Sequence, residues 1–166
     1  MDKPSINTAI MATTIPTRTP PEPKVEHNKN VSLMAARAFF RIGKDWQCNE
    51  SELTALIGVG LIQLLSLRKQ VEEESITPLD RRTLIRIRCL VMLYKETAHR
   101  HGSIALARND MRASRGGLPF MGQTPIQYMV RQGLKGIVET TRAVTGGLPD
   151  LKTPVTELFN QSEAQA

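Results

Sequence analysis

Long apolar runs are missing from this chain. A membrane-spanning helix needs about 20 consecutive apolar residues, and the 166 residues nowhere supply them, although 40% are hydrophobic. Near the N-terminus, INTAIMATTIPTRTPPEP is interrupted by Thr, Arg and Pro, which removes the apolar centre a secretory signal requires. The expectation is a cytoplasmic protein with no membrane partner. Cysteine is equally scarce. Cys48 and Cys89 are the only two, and their separation is not that of metal ligands, so reduced thiols are expected rather than a disulfide framework.

Catalytic signatures are absent as well. His99 and His101 bracket Arg100, but an i, i+2 pair on a helix points to different faces, and no carboxylate or thiol completes a metal-ligand spacing. Charged histidines at a helix C-terminus instead interact favourably with its dipole. No Ser or Cys stands in a nucleophile elbow. The glycine pairs 116–117 and 146–147 lack a following Lys-Ser/Thr or a preceding strand, so no phosphate loop is expected. The chain is read as a non-enzyme without cofactor or metal.

What is present is basic charge, unevenly placed. Of a net +6, all resides in residues 80–115, where Arg81, Arg82, Arg86, Arg88, Lys95, Arg100, Arg108, Arg112 and Arg115 face three acidic residues. Such an excess suits an anionic partner, nucleic acid or an acidic protein surface; equally, it suits a solvated helix face.

The pattern between the ends is helical, with no internal repeat and no strand alternation, so the expected class is all-α. Residues 1–30, with Pro4, Pro16, Pro20, Pro21 and Pro23, bury too little apolar surface to offset ordering entropy and read as a disordered arm. Residues 31–79 read as a helix-turn-helix unit. Leu33, Ala36, Phe39 and Phe40 share a helix face, Asn49 caps a second helix, Gly58 stops it, and a third helix follows from Leu61. In that third helix only Gln63, Ser66, Arg68 and Lys69 offer groups to DNA; the apolar remainder suits packing or dimerisation. Residues 80–145 hold a long helix from Asp80 to Gly102, a short one capped by Ser103, and two closely joined helices. Residues 146–166 read as a tail, with Leu151, Val155, Leu158 and Phe159 as apolar anchors.

The segment LPFMGQTPIQYMVRQGLKGIVETTRAV concentrates turn chemistry without catalytic groups. Gly117, Pro119, Gly122 and Pro125 make a compact connection. Thr124 is an N-cap and Pro125 a first helical residue. Gly133 ends one helix, and Leu134, Ile137, Val138 and Val144 form the buried side of the next. A rigid projection without chemistry suits protein recognition; closing the core is the plainer alternative.

In order along the chain, DWQCNESELTALIGV, DRRTLIRIRCLVMLYK, IALARNDMRAS, FMGQTP and GLKGIVETTRAV resemble the toxin-binding domain of Xre/MbcA/ParS-like bacterial antitoxins. The resemblance runs from about Leu33 to Val144. It departs from the family at Asn109-Asp110-Met111, where a Trp is usual, and at SRGGLP, where the family carries Pro-Asn. It implies an Xre-like helix-turn-helix bundle followed by a toxin-binding lobe. The implied function is neutralising a cognate toxin, an NAD-consuming or ADP-ribosyltransferase-like enzyme, by covering its active site. A homodimer, a heteromeric complex with the toxin and binding to operator DNA are implied with it. The implied toxin-binding set is Arg115, Phe120, Thr124, Pro125, Tyr128, Met129, Arg131 and Leu134. Thr124 and Pro125, with Gly122, Gly133 and Gly136, shape the backbone; Phe120, Tyr128, Met129 and Arg131 make contact where exposed. The rival expectation is a stand-alone helix-turn-helix transcriptional regulator whose C-terminal lobe only dimerises.

Overall fold

The computed structural model describes residues 25–147. They form α1 (Val25–Asp45), α2 (Glu50–Ile57), α3 (Leu61–Glu72), α4 (Arg81–His101), α5 (Ile104–Met111) and α6 (Pro125–Thr145). No strand occurs among the described residues, and the class is all-α.

Local chemistry sets nearly every boundary. In α1, Ala35, Ala36, Phe39 and Ile42 are buried while Arg37, Arg41 and Lys44 stay outside, the division a helical period produces. The helix begins at Val25, inside the stretch expected to be a disordered arm. Its first turns are polar and give no apolar period to read. Asn49 caps α2: its side chain accepts from the Glu52 amide (2.9 Å), and the Glu52 carboxylate accepts from the Asn49 amide (3.0 Å). Gly58 ends α2 at φ 80°, ψ 32°. A Cβ there would lie 2.7 Å from Cζ of Arg86, whose guanidinium donates to the carbonyls of Ala55 and Leu56. These are the carbonyls a helix end leaves without partners.

After Gly58-Val59-Gly60 the chain turns through 89° into α3. Leu64 and Leu67 point inward; Leu61, Ile62 and Leu65 do not. The connection to α4 is tied to α1 by the Leu79 amide, which donates to Ser32 Oγ (2.9 Å). Asp80 caps α4 by accepting from the amides of Arg82 and Thr83.

The central helix is α4. Ile87, Leu90, Val91 and Leu93 are buried, and the helix packs on α1, α2, α5 and α6. Burying each such side chain stabilises the fold by about 1.5–3 kcal/mol. One apolar cluster joins Phe39 and Trp46 of the first segment to Leu56, Leu64, Leu90, Met111, Met129 and Ile137. It continues across the division expected between residues 79 and 80, so the two units share a core. No single helix among the described residues is long and apolar enough to cross a membrane.

The last helix is broken where glycine was expected to break it. Gly133 sits at φ 61°, ψ −138°, a conformation essentially reserved for glycine. Gly136 follows because a Cβ there would lie 2.9 Å from the Tyr128 carbonyl oxygen and 3.2 Å from Cα of Met129.

Candidate functional site: the loop between α5 and α6

The loop is anchored before it begins. Arg112, just past α5, donates to the carbonyls of Trp46 (2.9 Å) and Gln47 (2.8 Å) and to both Glu52 carboxylate oxygens (3.2 and 2.9 Å). One side chain thereby fixes the end of α5 against the turn between α1 and α2. Burial works against the Glu52 carboxylate, but the hydrogen bonds from Arg112 and Asn49, with the Arg112 charge, hold its pKa below the usual 4.5.

Backbone pairing then closes the loop. The Arg115 amide donates to the Gln123 carbonyl (3.1 Å), and the Arg115 carbonyl accepts from the Gly122 amide (2.8 Å). The amides of Phe120 and Met121 both donate to the Gly117 carbonyl at 3.0 Å. Ser114 Oγ donates to the Gly122 carbonyl, and the Leu118–Pro119 peptide is cis. Thr124 and Gln127 form the capping box that starts α6, with Pro125 at its first turn.

The side chains continue the bracing. Arg115 donates to Asp110 (2.7 Å), an oxygen that also lies 3.1 Å from Nε2 of His101. The Arg115 guanidinium stands 5.2 Å over the Phe120 ring, whose edge meets Tyr128 at 5.6 Å between centroids. Tyr128 in turn donates to Glu139 at 2.5 Å, joining the two halves of α6 across the Gly133 break.

Against this support, two large apolar side chains point outward. Leu118 is 84% exposed and Met121 69% exposed. Neither was singled out from sequence. Apolar residues in an irregular, glycine-rich stretch carry no period, so nothing in GGLPFMG tells an anchor from a displayed residue.

Phe120, Pro125 and Met129, expected in the toxin-binding set with Phe120 and Met129 making contact where exposed, are buried within the chain; Phe120 packs beneath the loop against Arg115 and Tyr128. Arg115, Thr124, Tyr128 and Leu134 are half-buried and Arg131 is exposed. Tyr128 and Arg131 are one turn apart on α6. Leu151, Val155, Leu158 and Phe159 lie outside the described residues.

Each DNA-directed residue of α3 already has a local partner. Gln63 Oε1 accepts from the Gly60 amide (2.7 Å), and Ser66 Oγ accepts from Gln70 (3.2 Å). Arg68 pairs with Glu50 and stacks 5.5 Å over Phe40, while Lys69 lies 3.7 Å from Glu73. The outward face carries Leu61, Leu65 and an 85% exposed Ile62, an apolar stripe unlike a base-reading surface.

The basic excess is largely spent internally. Arg86, Arg112 and Arg115 are engaged as described. Arg100 donates to Glu96 and to the Val144 carbonyl, and Arg88 is buried. Arg81 and Arg82 are exposed. Five of the nine basic residues in 80–115 are thus engaged or buried within the fold. No group of His, Cys, Asp and Glu among the described residues is arranged to hold a metal. Burial, then the Glu52 charge, pushes the Cys48 thiol to about 11 despite the opposing pull of Arg112; burial also raises Cys89. Both are protonated near neutrality, and neither is an activated nucleophile.

No protein-family model, curated protein or solved structure matches the chain.

Proposed function

We propose that this chain is an antitoxin that binds a protein partner through the loop between α5 and α6. The partner is a cognate NAD-consuming or ADP-ribosyltransferase-like toxin, neutralised by covering its active site. The resemblance supplies the partner's class. The observation that carries the reading is the contrast within one loop: root and underside are fixed by Arg115, Phe120 and Tyr128, while Leu118 and Met121 project into solvent. A preformed apolar tip binds with little ordering cost, and covering it returns hydrophobic free energy. The apolar stripe of α3 gives the same chain a surface for a second copy, consistent with a dimeric antitoxin.

Co-expression with the product of the adjacent open reading frame tests this. Growth arrest by that product, relieved by the intact chain and by complex formation, is the expected result. An adjacent product that leaves growth and NAD unaffected and does not co-purify contradicts it.

One observation favours a second reading, a helix-turn-helix transcriptional regulator: α2 and α3 meet at 89° across a tight glycine turn. Salt-sensitive binding to upstream DNA without a protein partner supports that reading.

A further inference from the structure

We propose that α3 packs antiparallel against α3 of a second copy about a two-fold axis, with Leu61 of each copy entering a cavity of the other. The proposal rests on the reading of the α3 stripe as a surface for a second copy and adds its direction, its register and the contact residues. It is independent of what the α5–α6 loop binds.

Knob and hole lie on one row of one helix. Leu61, Leu65, Arg68 and Glu72 follow at i, i+4, i+7 and i+11, positions that share a helix face. Leu61 and Leu65 are 48% and 45% exposed, and the adjoining Ile62 is the most exposed of the three. At the other end of the row, Arg68 and Glu72 border a cavity of about 380 Å³. Phe40 of α1, Leu53 of α2 and Val71 of α3 give it apolar walls.

Symmetry then fixes the register. A two-fold contact is reciprocal, so whatever Leu61 meets must meet Leu61 in return. Seating Leu61 between Arg68 and Glu72 of the second copy brings Leu65 to the axis, against its own copy. Each Leu61 fills the gap between residues of the facing helix, as side chains of a coiled coil do. Glu72 comes to lie beside the start of the second copy's α3.

The charges are compatible with this pairing. Arg68 pairs with Glu50, Lys69 with Glu73 and Arg37 with Glu74. Lys44 and Glu72, both at the cavity, are opposite in sign, so these groups leave no net charge to repel a copy. Glu72 also meets a favourable site. The cap of α3 is Gly60, which has no side chain, and the first turn holds no acidic residue; the positive end of that helix favours a carboxylate. A copy seated here covers the outward side of α3 and keeps it from a DNA groove.

Sedimentation velocity of the full chain tests the proposal over about 1–300 µM, the range suited to a contact on one short helix. A reversible monomer–dimer equilibrium is expected, at least tenfold weaker in L61S/I62S. Those positions face solvent, and unchanged melts at the dilute end verify the fold. Register is read by cross-linking under a mild disulfide oxidant. L65C is expected to give a dimer joined at residue 65 of both copies, mapped by peptide mass spectrometry, whereas Q63C, on the other flank of α3, is not. A chain that stays monomeric throughout overturns the proposal. So does association undiminished in L61S/I62S, which places the contact elsewhere, or Q63C cross-linking as readily as L65C, which refutes the register. All arms use the chain without the adjacent gene's product, so their failure leaves the loop's role standing.

Discussion

The guanidinium of Arg115 lies 5.2 Å over the ring of Phe120 while donating to Asp110 at 2.7 Å. One side chain thus joins α5 to the underside of the loop that displays Leu118 and Met121. Replacing it with alanine removes a half-buried ion pair and a cation–π contact, together worth about 1–2 kcal/mol. Arg115→Ala is expected to lower the unfolding free energy by that amount. Amide exchange is expected to accelerate most over residues 115–123. Unchanged exchange there would show that the backbone pairing holds the loop unaided.

Arg112 is the larger structural commitment, because it satisfies two backbone carbonyls and a carboxylate on a distant turn. Arg112→Met leaves the Trp46 carbonyl and Glu52 without this donor and is expected to cost about 2–3 kcal/mol in urea unfolding. The Glu52 pKa is depressed in the folded state, so its contribution is present above pH 4.5 and lost as pH falls through the folded value. The acid limb of the stability profile is expected to flatten in Arg112→Met.

At the alkaline end the relevant group is Tyr94. Burial, with its hydrogen bond to Asp45 at 2.6 Å and that residue's charge, pushes its phenol up to about 12. The folded state therefore retains a proton that the unfolded chain releases near pH 10. Stability from this group is complete below pH 10 and is lost as pH rises toward 12. Tyr94→Phe is expected to remove that part of the decline in melting temperature. The part due to Cys48, whose thiol is raised to about 11, remains.

Gly133→Ala tests the break in α6. At φ 61°, ψ −138°, a side chain is strained whatever the surrounding space, at a cost of about 1–3 kcal/mol. If the variant melts like the unaltered protein, the break is not required.

Much of this architecture was legible in the sequence because caps and stops act locally. Asn49, Ser103 and Thr124 accept amide hydrogen bonds from residues three positions on, and Gly58, Gly102 and Gly133 adopt positive φ where stops were expected. The fate of the arginines was not legible. Arg112 bonds the Trp46 carbonyl across 66 residues, and only packing decides such a pairing. The loop was legible as a compact turn, but not in its orientation. Phe120 enters the interior by meeting Arg115 and Tyr128, and the neighbouring Met121, at φ 51°, is directed outward.

The central claim is that Leu118 and Met121 form the surface a partner covers. The most direct measurement is the affinity of the intact chain for the adjacent gene's product, compared with L118D/M121D. Both positions are solvent-facing, so the fold is expected to survive the change. A loss of at least 100-fold in affinity (about 2.7 kcal/mol), with relief of growth arrest abolished and the thermal melt unchanged, is the predicted result. Undiminished binding by the double variant contradicts the account.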